Sequence, residues 1–201
     1  TRLQGDWSSD VCSSDLYEAL CKKAARGSGM HWGQAEEVGK AARSLGTYGL
    51  DDGRLVLNAI ERFGPQNALW LGPALCDEGQ IFEGVSTVEN VEMPTLMLPF
   101  LHMMVLDHEI CLSVTWDRFK ALISADGIDC ILSDGLSETG PVDLKVSTIS
   151  AAQATEPRLQ SRIDVPQDIF ERLSALAHKT YAPATEESRL AGAGAGLSDN
   201  D

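Results

Sequence analysis

Arg26, His31, Trp32 and Glu36 cluster around the start of a predicted helix, with Gly27 and Gly29 between them. An anion could rest on the free N–H groups of that helix start, with the Arg26 guanidinium beside it. The simpler reading is a tight corner between two helices, where Gly27 and Gly29 supply positive φ and Trp32 packs. His102, Asp107, His108 and Glu109 form a second polar set beside an apolar run. Histidine with carboxylate can bind zinc or iron. This spacing fits no metal motif, and polar groups flanking a core element explain it as well. Asp199, Asn200 and Asp201 could chelate a hard cation, yet a calcium loop spaces its ligands further and holds a turn glycine. No metal is therefore expected.

Gly192, Gly194 and Gly196 alternate like a phosphate-binding loop. A dinucleotide fingerprint must follow a strand and open a helix. The chain stops too soon after Gly196 for that helix, so no cofactor is assigned. Gly84-Val85-Ser86-Thr87-Val88 starts like a nucleophile elbow and lacks its last glycine. Neither a Walker loop nor an H-E-x-x-H pair occurs. Whether the chain is an enzyme stays open on these residues.

The elements that must carry these groups follow from periodicity. Tyr17 to Arg26 reads as a helix with Leu20, Cys21, Ala24 and Ala25 on one face. Trp32 to Leu45 is a second, with Ala35, Gly39 and Ala42 as a small-residue stripe for close packing, and Glu36 and Lys40 as a surface pair. Asp51-Asp52 can cap a third helix carrying Val56, Ile60 and Phe63, stopped by Gly64-Pro65. Gln66 to Pro94 has no clean period and could hide a short strand at Ala68 to Leu71. Thr95 to Leu106 is apolar throughout and fits a buried strand or a helix.

Beyond it, Ile110, Leu112, Val114 and Trp116 alternate with polar neighbours, as a half-buried strand does. Phe119 to Ser124 and Ile128 to Leu132 make a hairpin about Asp126-Gly127, and Val142, Leu144 and Val146 mark a further strand. Pro166 opens a last helix with Ile169, Leu173, Leu176 and Ala177 on one face. Helices, then antiparallel strands, then one helix make an α+β fold. One domain is expected over 17–201: a helical part at 17–65, a β-rich part at 95–150, and a C-terminal helix with a Gly/Ala-rich tail at 165–201. Residues 187–201 are expected to dock on the domain, anchored by Leu190 and Leu197, with the acidic end near the helix start after Gly29.

The chain has 201 residues, a net charge of −14 and 43 % hydrophobic residues. That charge disfavours nucleic acid and anionic lipid as partners. No apolar run approaches the roughly 20 residues that span a bilayer. Asp6 to Leu16 resembles a translated sequencing adapter: one frame of a common adapter strand gives these residues in order, and Thr1-Arg2 fits the same primer. Residues 1–16 are therefore expected to be foreign, standing where the natural start should be. Without them one Arg and three Asp go, so −14 becomes −12. Cys21, Cys76, Cys111 and Cys130 remain, with no C-x-x-C and no zinc spacing. Free thiols in a reducing cytoplasm are expected.

Two stretches carry a resemblance. One runs Ala24-Ala25-Arg26-Gly27-Ser28-Gly29-Met30-His31-Trp32-Gly33-Gln34-Ala35-Glu36-Glu37-Val38-Gly39-Lys40; the other runs from Thr180 through Arg189 into Gly192-Ala193-Gly194-Ala195-Gly196 and Asp199-Asn200-Asp201. Together they resemble a bacterial family catalogued as domain of unknown function 3726, from Tyr17 to Asp201. Ser28 departs mildly from a position where a small residue, often Ala, is expected. The resemblance implies a cytoplasmic bacterial protein and transfers no reaction.

Two functions compete. One is a non-catalytic binding or accessory protein with a protein partner, in keeping with the acidic surface and the absent catalytic motif. The other is a small-molecule-binding domain or enzyme with a pocket between helical part and sheet, walled by Arg26, His31, Glu36, Arg189 and Asp199.

Overall fold

The computed structural model describes residues 9–78, 82, 84–150 and 157–181. It is α+β, as expected, with the helices leading. α1 (Ser14–Gly27) begins where the Ser13 side chain accepts the Leu16 N–H. α2 (Trp32–Thr47) lies close along α1. The small-residue stripe makes that possible: a Cβ on Gly39 would stand 3.0 Å from the Glu18 carbonyl oxygen. Gly29 has positive φ, as the corner requires, whereas Gly27 does not. Gly27 is glycine for another reason. It ends α1 against the backbone of a later helix, and a Cβ there would fall inside the Leu176 carbonyl.

α3 (Arg54–Glu61) follows, and then α4 (Ala68–Asp77). The strand considered at Ala68 to Leu71 is thus the first turn of a helix. Asn67 explains the start: its side-chain oxygen accepts the Leu69 N–H at 2.9 Å and its amide donates to the Ala59 carbonyl at 3.0 Å, so it is buried and satisfied. The helical part therefore holds four helices.

β2 (Val85–Glu92) lies inside the stretch without a period, its ladder broken by a bulge between Val88 and Val91. The apolar run resolves as a 3₁₀ turn (Pro94–Met97) and α5 (Leu98–His108). β3 (Cys111–Trp116), β4 (Phe119–Ser124), β5 (Gly127–Ser133) and β6 (Pro141–Ile149) complete an antiparallel sheet in the order β2-β6-β3-β4-β5. Leu112, Val114, Ala121, Ile123, Leu144 and Val146 are buried in one core with Phe100, Leu101, Met104 and Val105 of α5.

A second sheet has two strands. β1 (Ser9–Ser13) pairs antiparallel with β7 (Arg162–Pro166), just ahead of α6 (Gln167–His178). Both strands are additions to the sequence reading. Part of the adapter-like segment thus forms β1 and the first turn of α1. α6 buries Ile169, Leu173 and Ala177, as its period implied. Among the described residues no helix is long and apolar enough to cross a membrane. The tail beyond Tyr181, with its expected docking, lies outside them.

Candidate functional site

The corner residues singled out by type sit on the surface. Arg26 donates to the Met30 carbonyl at 2.8 Å and stacks its guanidinium over Trp32, 5.3 Å from the ring centre. Trp32 remains 57 % exposed. His31 opens α2, its N–H donating to the Gln34 side chain at 3.2 Å. Glu36 pairs with Lys22 at 2.6 Å rather than with Lys40, which turns to Glu37. These bonds tie the α1–α2 corner together, and Arg26, His31, Trp32 and Glu36 line none of the cavities described below. Arg189 and Asp199 lie outside the described residues. His102 meets the Tyr48 ring on α5, while His108 and Glu109 are exposed at the helix end. Among the described residues no group of His, Cys, Asp or Glu is placed to hold a metal.

A cleft does lie where the helices meet the sheet. Its volume is about 490 Å³. Four separate segments build it: the turn after α2, the first turns of α3, the β5–β6 loop and the run into β7. The turn is set by glycine: Gly49 and Gly53 have φ of +67° and +102°. The β5–β6 loop is held from below, because Trp116 donates its indole N–H to the Gly135 carbonyl at 3.1 Å and Thr95 its hydroxyl to the Leu136 carbonyl at 2.6 Å. The fourth wall is fixed by the Gln160 N–H donating to the Thr47 carbonyl at 2.7 Å.

The lining is polar and acidic. Asp51, Asp52 and Asp164 face it, and its cation Arg54 is already paired with Asp52. Asn58, Ser137, Thr139 and Gln160 add amides and hydroxyls. Asp51 caps α3, accepting the Leu55 and Val56 N–H groups at 3.1 and 3.2 Å. Burial nevertheless pushes its carboxyl up to about 6, against the pull of those bonds. Nearby, the Tyr17 hydroxyl is fully buried beside the Cys21 thiol. A Cβ on Gly53 would lie 3.2 Å from that hydroxyl. Burial pushes Tyr17 and the neighbouring Cys21 thiol far above their ordinary values, so neither ionises near neutral pH.

The Asp51 shift has a definite sign in stability. The folded carboxyl holds its proton more tightly than the unfolded one. Its favourable contribution is complete below about pH 4 and fades as pH rises through about 6. Asn carries no charge and keeps one acceptor for the cap, so it loses the second N–H bond by an amount that does not depend on pH. The stability difference between Asp51→Asn and the wild type should therefore move in the variant's favour by about 1–3 kcal/mol between about pH 4 and 6 and stay constant above that. Urea unfolding across pH measures it. A difference that moves in the wild type's favour with rising pH would contradict the burial argument.

In the sequence Asp51 and Asp52 read as caps alone, and the β5–β6 loop carries no motif. The sole available signal was a polar stretch between two strand patterns, and nothing in it names the distant segments it meets.

Residues 13–87 match the model of a family described as a protein of unknown function (DUF3726). The match begins within the adapter-like segment, takes in α1 to α4, and includes the α2–α3 side of the cleft but not its β5–β6 or β7 walls. The similarity to that family covers residues 13–87 of the 201. No curated protein and no solved structure matches it.

Proposed function

We propose, for this chain, a non-catalytic binding protein that holds a small polar molecule in the cleft between α3, the β5–β6 loop and β7. The observation that carries this is the convergence of amides, hydroxyls and carboxyls from four distant segments on one concavity. The ligand class follows from that lining. Hydroxyls and neutral or protonated amines match it, whereas an anion would meet three carboxylates and one arginine already engaged. Against catalysis, Asp51 spends both oxygens on the α3 cap, and no histidine or cysteine lines the cleft among the described residues. No disulfide joins any of the five cysteines, in keeping with a reducing cytoplasm. The acidic charge leaves nucleic acid without a counterpart.

Melting temperature against a panel of polyols, amino sugars and amino acids tests the reading, because a ligand bound to the native state raises it. At least one member should raise it in the wild type. Asn58→Leu, on the α3 wall, should abolish the rise while shifting the ligand-free protein by about 1 kcal/mol or less. No rise with any member, or an equal rise in the variant, would remove the cleft as the binding site.

A further inference from the structure

A second concavity, of about 440 Å³, lies between α2, α4 and α5. Its apolar lining is Leu69, Phe100, Trp70 and Met103. Trp70 is 45 % exposed and Met103 38 %, and the two line the same groove rather than standing singly. Phe63 holds the Trp70 ring from its outer side, edge to face at 5.7 Å between centres. The indole is therefore positioned while much of its surface stays open to water.

Two carboxylates share this groove, Glu37 of α2 and Asp77 of α4. Asp77 is the last residue of its helix, where the free carbonyls already make the field negative. A cation is the natural occupant of that position, yet among the described residues Asp77 has no ion-pair partner. Cys76 feels the same field: burial first, then Asp77, Glu37 and Asp107, push its thiol up to about 11. An apolar groove alone would accept any greasy molecule. Glu37 is held by Lys40 at 2.8 Å, so among the described residues the unneutralised carboxylate of the groove is Asp77. An open indole face and a thioether beside it select for positive charge on an apolar body.

We propose that this groove binds a small organic cation, a quaternary or protonated amine on a short apolar frame, between the Trp70 indole and the carboxylate of Asp77. The site is separate from the α3 cleft, and either can stand without the other.

Choline and its uncharged isostere 3,3-dimethylbutan-1-ol make the test, titrated calorimetrically into the full chain. Choline should bind roughly tenfold tighter at low salt. The preference should shrink as salt rises, because part of the groove faces water. Trp70→Leu should lose the preference. Asp77→Asn, at an exposed helix end, should reduce it several-fold with the melting temperature equal to or slightly above the wild type's, and it decides the matter should the tryptophan variant fail to fold. Equal affinity for the two probes, no heat from choline at millimolar concentration, or an undiminished preference in Asp77→Asn would each overturn the proposal.

Discussion

Gly27→Ala should lose about 3 kcal/mol, more than most substitutions of one hydrogen by a methyl. Alanine ordinarily gains up to about 1 kcal/mol over glycine within a helix, so the sign itself is informative. The added methyl would fall inside the Leu176 carbonyl where α1 crosses α6. That atom is backbone and cannot rotate away as a side chain can; the two helices must part. The midpoint of urea unfolding should drop with its slope unchanged. Truncating the Leu176 side chain in the same background should restore nothing. A neutral Gly27→Ala, or a rescue by Leu176→Ala, would show that the helices are not seated backbone to backbone.

Phe100→Ala should cost about 3–5 kcal/mol, the usual range for emptying a buried phenyl site. Phe100 is 2 % exposed and lies over Gly72, where a Cβ would run into its ring. The two positions are therefore coupled. Gly72→Ala alone should cost about 1–3 kcal/mol through overpacking. In the double variant the new methyl enters space the phenyl has left, so the combined loss should fall short of the sum by about 1 kcal/mol or more. A double-mutant cycle by urea unfolding reads this directly. Strict additivity would place the ring elsewhere.

How far the sequence foretold these contacts depends on whether the cause was local. The β3 and β4 strands were legible because Leu112, Val114 and Trp116, then Phe119, Ala121 and Ile123, bury alternate residues on one face. α2 was legible down to its stripe, since Ala35 and Gly39 repeat at helical spacing. α4 was hidden by Gly72-Pro73, which reads as a break. The helix runs through that pair, because Gly72 is demanded by the Phe100 ring in another element. The same error recurs at Gly27, expected at positive φ but required by the approach of α6. In both cases a glycine whose reason lies far along the chain looks like one whose reason is the local turn.

The candidate site was less legible still. Type and spacing point to Arg26, His31, Trp32 and Glu36, whose contacts with one another and with Met30, Gln34 and Lys22 tie a corner together. The cleft draws on Asp51, Asn58, Thr139 and Gln160, each ordinary in its own neighbourhood. Polar residues become a binding surface only by meeting, and no period or motif in one segment encodes that meeting.

The two-stranded sheet has a kinetic consequence. β1 and β7 stand at opposite ends of the described chain, and the α1–α6 crossing joins the same two ends. The β3–β4–β5 meander, by contrast, closes through short turns. Loop-closure entropy makes long-range contacts slow to form until intervening structure has shortened the path. The meander is thus suited to early formation, and the end-to-end layer must wait for the middle of the molecule. During synthesis the wait is imposed outright. α1 is made long before α6, so its surface around Gly27 stays open until α6 has been made.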